Sequence, residues 1–382
     1  MPWEESNRVD KRREFVILAQ EGGQSFTALC RRFGISRKTG YKWLKRYRET
    51  GTLTDLEEQS RRPLRSPGRT DPSQERRAVA LRKELGWGAR KLRILLAREG
   101  ILLSEATLNR IIQRNGLLKR PDRQGQATQR FERRYPNALW QMDFKGHFPL
   151  VGEGRGRRCY PLSILDDHSR FLIGLFALRS NRTEPTWDAL RYAFVRYGLP
   201  EQMLTDHGSP FWSTTNSHGL TQVNVEIMNQ DIQLLHGAIR HPQTQGKVER
   251  LHRTLQEEMN HRGQPQTLTE CQVFFNAFRE RYNRERPHEA LGMDVPRAHY
   301  TASARAYTPV PKPWAYDPAM TVRQLNTQGN LDYQGQRLFV CEALAEQWVG
   351  TLVFEGKLMV QFRDLLIREI DLQTRHGRAF TS

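Results

Sequence analysis

The sequence predicts a multidomain protein. α-Helical helix-turn-helix DNA-binding domains come first, an α/β mixed-sheet core follows, and a small all-β barrel comes last. Three observations lead there. Two helical units near the front each pair a glycine-marked turn with a serine able to cap a basic helix. From about residue 136 the apolar period changes from helical to alternating. Beyond a proline-rich stretch, short alternating strands are separated by glycine turns.

Charge follows the same division. Lys plus Arg number 60 against 42 Asp plus Glu, a formal charge of +18. Residues 1–135 hold 32 basic and 16 acidic side chains, whereas 136–382 hold 28 and 26. A chain that is merely soluble and basic would spread its excess evenly. Concentration in the first third points to a polyanion, nucleic acid above all. The four cysteines, Cys30, Cys159, Cys271 and Cys341, form no CxxC pair, which argues against a zinc finger or a disulfide framework. No apolar run reaches membrane-spanning length and "MPWEESNRVDKRREF" does not read as a signal peptide, so the chain is expected in the cytoplasm.

The first unit, a helix-turn-helix domain over 1–56, contains "FTALCRRFGISRKTGYKWLKRYRE". Leu29 and Phe33 share a helical face, Gly34 permits the turn, Ile35 plugs the corner and Ser36 caps the next helix. That helix presents Arg37, Lys38, Lys42, Lys45 and Arg46 to DNA, while Trp43 and Tyr47 pack inward. An αα-hairpin with a solvated basic face is the plainer alternative. A basic Pro-rich linker over 57–74 follows, then a second helix-turn-helix domain over 75–120. There Leu92, Leu95 and Leu96 make the apolar stripe, and Ser104 caps a helix bearing Asn109, Arg110 and Arg114 as DNA contacts. A basic linker over 121–135 leads into the core, 136–299.

In the core "ALWQMDFKGHF" alternates, with Trp140, Met142 and Phe144 on one face and Asp143 on the other. "CYPLSILDD" and "RFLIGLFAL" predict a hairpin turning at Asp167-His168-Ser169, and helix 183–197 precedes a strand ending at Asp206. Three antiparallel strands followed by alternation with helices predict a mixed sheet flanked by helices. Three carboxylates stand out: Asp143 in mid-strand, Asp206 at a strand's C-terminal end, and Glu249 in the first turn of a helix. They lie 63 and 43 residues apart and can meet only through tertiary structure. A Pro-rich linker over 300–318 and the small β-barrel domain over 319–382 complete the division.

"WQMDFKG", "LTDHGSPF" and "HPQTQGKVERLHRTLQ", in that order, resemble the three motifs of bacterial insertion-sequence transposases with a retroviral-integrase-type (DDE) catalytic core. "LDDHSRFLIG" and "YNRERPHEALGMDVP" match as well, so the resemblance covers most of residues 1–300. It implies an RNase H-like core, an SH3-like tail barrel, and a transposase that cleaves the ends of its own element and joins them to target DNA. One departure is the interval from Asp206 to Glu249, several residues longer than usual, which points to an insertion within 214–230.

The resemblance also implies two Mg²⁺ ions, with Mn²⁺ able to substitute, held by Asp143, Asp206 and Glu249. Paired divalent ions activate an attacking oxygen and stabilise a leaving one without a covalent enzyme intermediate, and hard carboxylates suit Mg²⁺. Asp143 is read as the bridging ligand. Gln243 to Gly246 would form a loop near the scissile phosphate, Lys247 and Arg250 would meet DNA phosphates, and His252 or Arg253 the element end. Double-stranded DNA is the expected partner, as terminal inverted repeats and target, with at least a dimer needed to bring two ends together. A domesticated DNA-binding regulator would share the front end but need no acids. A tyrosine or serine recombinase would leave the triad idle, and a simple RNase H-like nuclease would not need two DNA-reading modules.

Several neighbours read as structural. Asp166 and Asp167 cap a hairpin turn and His207 and Gly208 shape a turn; the resemblance implies that His288 helps close the core. Trp140 and Trp212 are packing groups, Trp212 also being placed to stack on a flipped base.

Overall fold

The computed structural model describes residues 8–57, 69–118, 132–213, 219–236, 246–374 and 377–379. The chain divides between Arg69 and Thr70 into two units. No helix among the described residues is long and apolar enough to cross a membrane.

The first unit holds α1 (Arg8–Glu21), α2 (Phe26–Arg32) and α3 (Arg37–Thr50), then a 3₁₀ turn at Leu53–Leu56. Short polar side chains start two of the helices. Ser25 accepts from Ala28 N, and Ser36 accepts from Thr39 N at 3.2 Å. Gly51 ends α3 in the left-handed region, where only glycine is unstrained. Phe15, Val16, Leu29, Cys30, Trp43, Leu44 and Leu56 form the core, with Ile35 and Tyr47 packed against it. Gly40 lets α3 approach so closely that a Cβ there would lie 2.8 Å from Cys30 Sγ.

The second unit opens with α4 (Pro72–Leu85), α5 (Ala89–Arg98) and α6 (Glu105–Arg114). α4 begins inside the stretch read as a linker to residue 74. Asp71 accepts from Ser73 N at 2.7 Å with proline in the first turn, a helix start that the basic, proline-rich surroundings obscure. These helices bury Leu81, Trp87, Leu92, Leu96, Leu108 and Ile111.

A mixed sheet follows, built from β1 (Leu139–Phe144), β2 (Phe148–Pro149), β3 (Arg158–Asp166), β4 (Leu172–Leu178), β5 (Gln202–Thr205) and β6 (Gln233–His236). Its order is β2-β3-β1-β5-β6, with β4 on β3. β1, β3 and β4 run antiparallel, whereas β1, β5 and β6 are parallel. Because side chains alternate across a sheet, Trp140, Met142, Leu162 and Ile164 enter one layer with α7 (Thr183–Tyr197) and α8 (Gln222–Asn229). Leu165, Leu172 and Leu175 enter the other, with α9 (Gly246–Arg262) and α10 (Leu268–Arg284). The helices α4–α6 rest on the outer end of this second layer. His261 Nε2 donates to Lys83 O at 2.7 Å, and Arg90 pairs with Glu289 at 3.6 Å.

The tail differs from the expected closed SH3-like barrel. β7 (Thr321–Gln324), β10 (Trp348–Phe354), β11 (Lys357–Phe362), β12 (Leu365–Asp371) and β13 (Gly377–Ala379) form an open antiparallel sheet. A separate hairpin joins β8 (Asn330–Tyr333) to β9 (Gln336–Phe339). Among the described residues no pairing joins β7 to β13. The physical reason lies in the packing: Leu358, Val360 and Ile367 share one cluster with Leu220, Val225 and Met228 on and beside α8. The sheet buries its apolar face against the core and the hairpin, so it need not close on itself. Arg363 fastens the contact, pairing with Asp231 and donating to Asn229 O at 3.0 Å.

Candidate active site

The parallel pairing of β1 with β5 sets the site. Gln141 is in register with Leu204, and two residues further along both strands come Asp143 and Asp206. Adjacent strands lie roughly 4.8 Å apart, so the two acids are neighbours at the C-terminal ends of their strands. Asp206 Oδ1 accepts from Gly208 N at 3.0 Å. A Cβ on Gly208 would sit 2.8 Å from Asp206 Oδ2, so a side chain there would push the carboxylate aside.

Glu249 stands exposed in the first turn of α9, whose Val248 and Leu251 pack in the second layer with Leu165, Leu172 and Leu175 of β3 and β4. Its charge reaches Asp143. The Asp143 carboxyl is pushed up to about 7, by burial first, then by the Asp206 charge, with Glu249 adding to it. Among the described residues no three His, Cys, Asp or Glu side chains enclose a ready-made metal cage.

His252, read from the sequence as a possible DNA contact, turns inward. Ser163 Oγ donates to Asp143 O at 3.1 Å and so accepts from His252 Nε2 at 2.7 Å. The other ring nitrogen, Nδ1, is therefore the bare one, 3.7 Å from Asp143 Oδ2. Burial and then Lys145 pull this imidazole down to about 4, so it offers Asp143 no positive charge at neutral pH. Lys145 donates to Gln256 Oε1 at 2.6 Å, tying β1 to α9.

Asp166 and Asp167 are both fully buried. Asp166 accepts from Ser169 N and Asn137 N, the turn-stapling role expected of it. Asp167 departs from that reading. Its Oδ1 accepts from Lys247 Nζ at 2.5 Å and Gln141 Nε2 at 2.7 Å. Lys247 thus forms a buried ion pair, and burial pulls its amine down to about 8. The signal for this pair was an acidic doublet beside a hairpin turn, which local turn chemistry already explained.

Arg250 and Arg253 are exposed on α9, and Gly246 begins it; residues 243–245 of the expected loop lie outside the described residues. In the first unit Arg37, Lys38, Lys42 and Lys45 are exposed. Arg46 is half-buried and donates to Glu57 O at 3.1 Å. On α6, Asn109 and Arg110 are exposed, whereas Arg114 donates to Glu75 Oε1 at 2.6 Å. Trp140 is buried in the first layer, and Trp212 packs beside His207 with ring centroids 4.5 Å apart. His288 stands edge-on to Tyr282 and is pushed down to about 3 by burial, as suits a structural residue.

Known proteins share these parts. Residues 133–237 and 230–296 match two families described as Integrase core domain. Residues 11–63 match a Helix-turn-helix domain family, and 39–112 a Homeodomain-like domain family. The transposase for transposon Tn552 of Staphylococcus aureus is 24% identical over 62% of this chain and 53% of its own. The 31.7 kDa protein of insertion element IS407 from Burkholderia multivorans is 25% identical over 59% of this chain and 79% of its own. This chain therefore spans about half the length of the staphylococcal relative. Among solved structures, the HTLV-2 integrase catalytic core domain in complex with magnesium covers 44% of this chain and 99% of its own, with a TM-score of 0.33 and 17% identity.

The class these matches define is a helix-turn-helix protein carrying an integrase core domain. These matches agree with the resemblance to insertion-sequence transposases with an integrase core that the sequence motifs carry.

Proposed function

We propose that the protein is a DDE transposase. It would bind the terminal inverted repeats of its insertion sequence, free 3′-OH ends by hydrolysis and join them to target DNA by strand transfer. The observation that carries this reading is the parallel register that brings Asp143 beside Asp206, with Glu249 close enough to raise the Asp143 carboxyl. Two neighbouring acids, one of them reluctant to ionise, with a third whose charge reaches them, suit divalent cations as counter-charge.

Asp143, Asp206 and Glu249 would hold two Mg²⁺ ions. Such ions supply an activated oxygen nucleophile and charge stabilisation at phosphorus. The chain's own residues do the rest. Asp143 gives up its proton as the site loads. Gly208 keeps space free around Asp206, and neutral His252 adds no positive charge beside Asp143. The exposed cations of α3 and α6 supply affinity for DNA phosphates, with Arg250 and Arg253 guiding the strand near Glu249. Two ends must be held at once, so at least a dimer assembles on DNA, at the bacterial nucleoid.

The test uses the full chain, Mg²⁺ and the inverted repeats flanking its reading frame. Asp143→Asn, Asp206→Asn and Glu249→Gln should each reduce strand nicking to background while binding to the repeats stays near wild type. Robust nicking by any of the three removes that residue from the site.

A further inference from the structure

Resting on the triad reading above, we propose that Asp167 and Lys247 are positioning residues. They form a buried clamp that sets the distance between the strand bearing Asp143 and the helix turn bearing Glu249. Asp167 follows β3 directly and has no exposed surface. Its Oδ1 is shared by Gln141 Nε2 at 2.7 Å and Lys247 Nζ at 2.5 Å. Its Oδ2 accepts from Arg133 N at 2.7 Å, and its backbone carbonyl accepts a second bond from Lys247 at 3.0 Å.

The two donors are what make this more than a buried ion pair. Gln141 lies two residues before Asp143 on β1, so both side chains leave the same face of the sheet. Lys247 lies two residues before Glu249 in the first turn of α9. One carboxylate oxygen thus joins the element carrying the first acid to the element carrying the third. The amine is turned inward: its side chain is 16% exposed and it donates to two oxygens of Asp167. A charge-assisted pair in a low-dielectric interior tolerates little displacement, so it holds the start of α9 in one place. Partners that orient metal-binding side chains from behind commonly matter 10–100-fold to affinity.

The experiment compares the full-length wild type with Lys247→Met, Lys247→Arg and the double variant Asp167→Asn/Lys247→Met. The double variant leaves no unpaired buried charge, so it still tests the clamp if the single substitution unfolds. Mn²⁺ affinity is measured by calorimetry and amide exchange is followed across residues 247–251, with circular dichroism as the check on folding. The clamp predicts that Lys247→Met and the double variant lose roughly 10–100-fold in Mn²⁺ affinity. Both should also exchange faster in the first turn of α9, and Lys247→Arg should recover most of both. Affinity and exchange within twofold of wild type in the folded variants would overturn it. So would a uniform loss of DNA affinity with unchanged Mn²⁺ affinity, which would make Lys247 a phosphate contact. If the wild type takes up no Mn²⁺, the triad reading fails, and amide exchange alone decides whether the clamp exists.

Discussion

The first helical unit and the acid-bearing face of the core sheet handle charge in opposite ways. In the first unit Arg37, Lys38, Lys42 and Lys45 stand in solvent around a core of Phe15, Leu29 and Trp43. In the core, Asp143 is drawn partly out of water beside Asp206, and Asp167 is drawn out completely onto Lys247. Exposed cations cost little to keep and interact with a polyanion at long range, as affinity requires. Crowded, half-buried acids are costly to keep ionised, a cost that makes sense where a counter-cation is to be bound. Affinity and chemistry should therefore be separable by substitution.

The largest effect expected in the first unit is on binding. Replacing Arg37, Lys38 and Lys42 together with alanine should lower the full chain's affinity for its repeats by one to three orders of magnitude. The slope of log affinity against log salt should become shallower by about 0.9 for each phosphate that is no longer neutralised. Nicking at saturating DNA should stay within a few-fold of wild type. An unchanged slope would mean that these cations face away from DNA.

The acids should show the reverse pattern, in stability. Folded Asp143 keeps its proton to about pH 7, whereas its ordinary value is 3.8. The native state thus binds the extra proton between those values, so the stability of the metal-free protein falls as pH rises from about 4 to about 7 and is flat above. Asp143→Asn removes the penalty. In thermal melts without metal it should stabilise the second unit at pH 8 by about 2–4 kcal/mol and change it little at pH 4. Equal melting temperatures at pH 8 would mean that the acid is not crowded.

A smaller effect tests the packing beneath the exposed cations. Gly40→Ala would put a Cβ 2.8 Å from Cys30 Sγ and 2.9 Å from the Phe15 ring. It should destabilise the first unit by about 1–3 kcal/mol. Binding should weaken only in proportion to the unfolded fraction, measured by denaturation alongside DNA titration. Full stability would show that α3 sits further from α1 and α2.

Much of this was legible in the sequence where the determinant is local. Ser36 and Ser104 announce their helices because a cap acts within three residues. The alternation of Trp140, Met142 and Asp143 gives both the strand and its two faces. What escaped depends on distant partners. Lys247 and Asp167 are 80 residues apart, and nothing near Lys247 distinguishes an inward-facing amine from one reaching for phosphate. Arg114 is drawn to Glu75 in the same way. The tail's strands were readable, but whether their sheet closes or docks is decided by Leu220, Val225 and Met228, which lie about a hundred residues earlier in the chain.

In the proposed site Asp143, Asp206 and Glu249 act as one cation-binding trio on DNA. Its most direct test is anomalous diffraction from crystals of the full chain with its terminal-repeat duplex and Mn²⁺. Two manganese peaks are expected to share the Asp143 carboxylate, one also on Asp206 and the other on Glu249. Manganese bound elsewhere, with these three side chains unliganded beside the bound duplex, would contradict it.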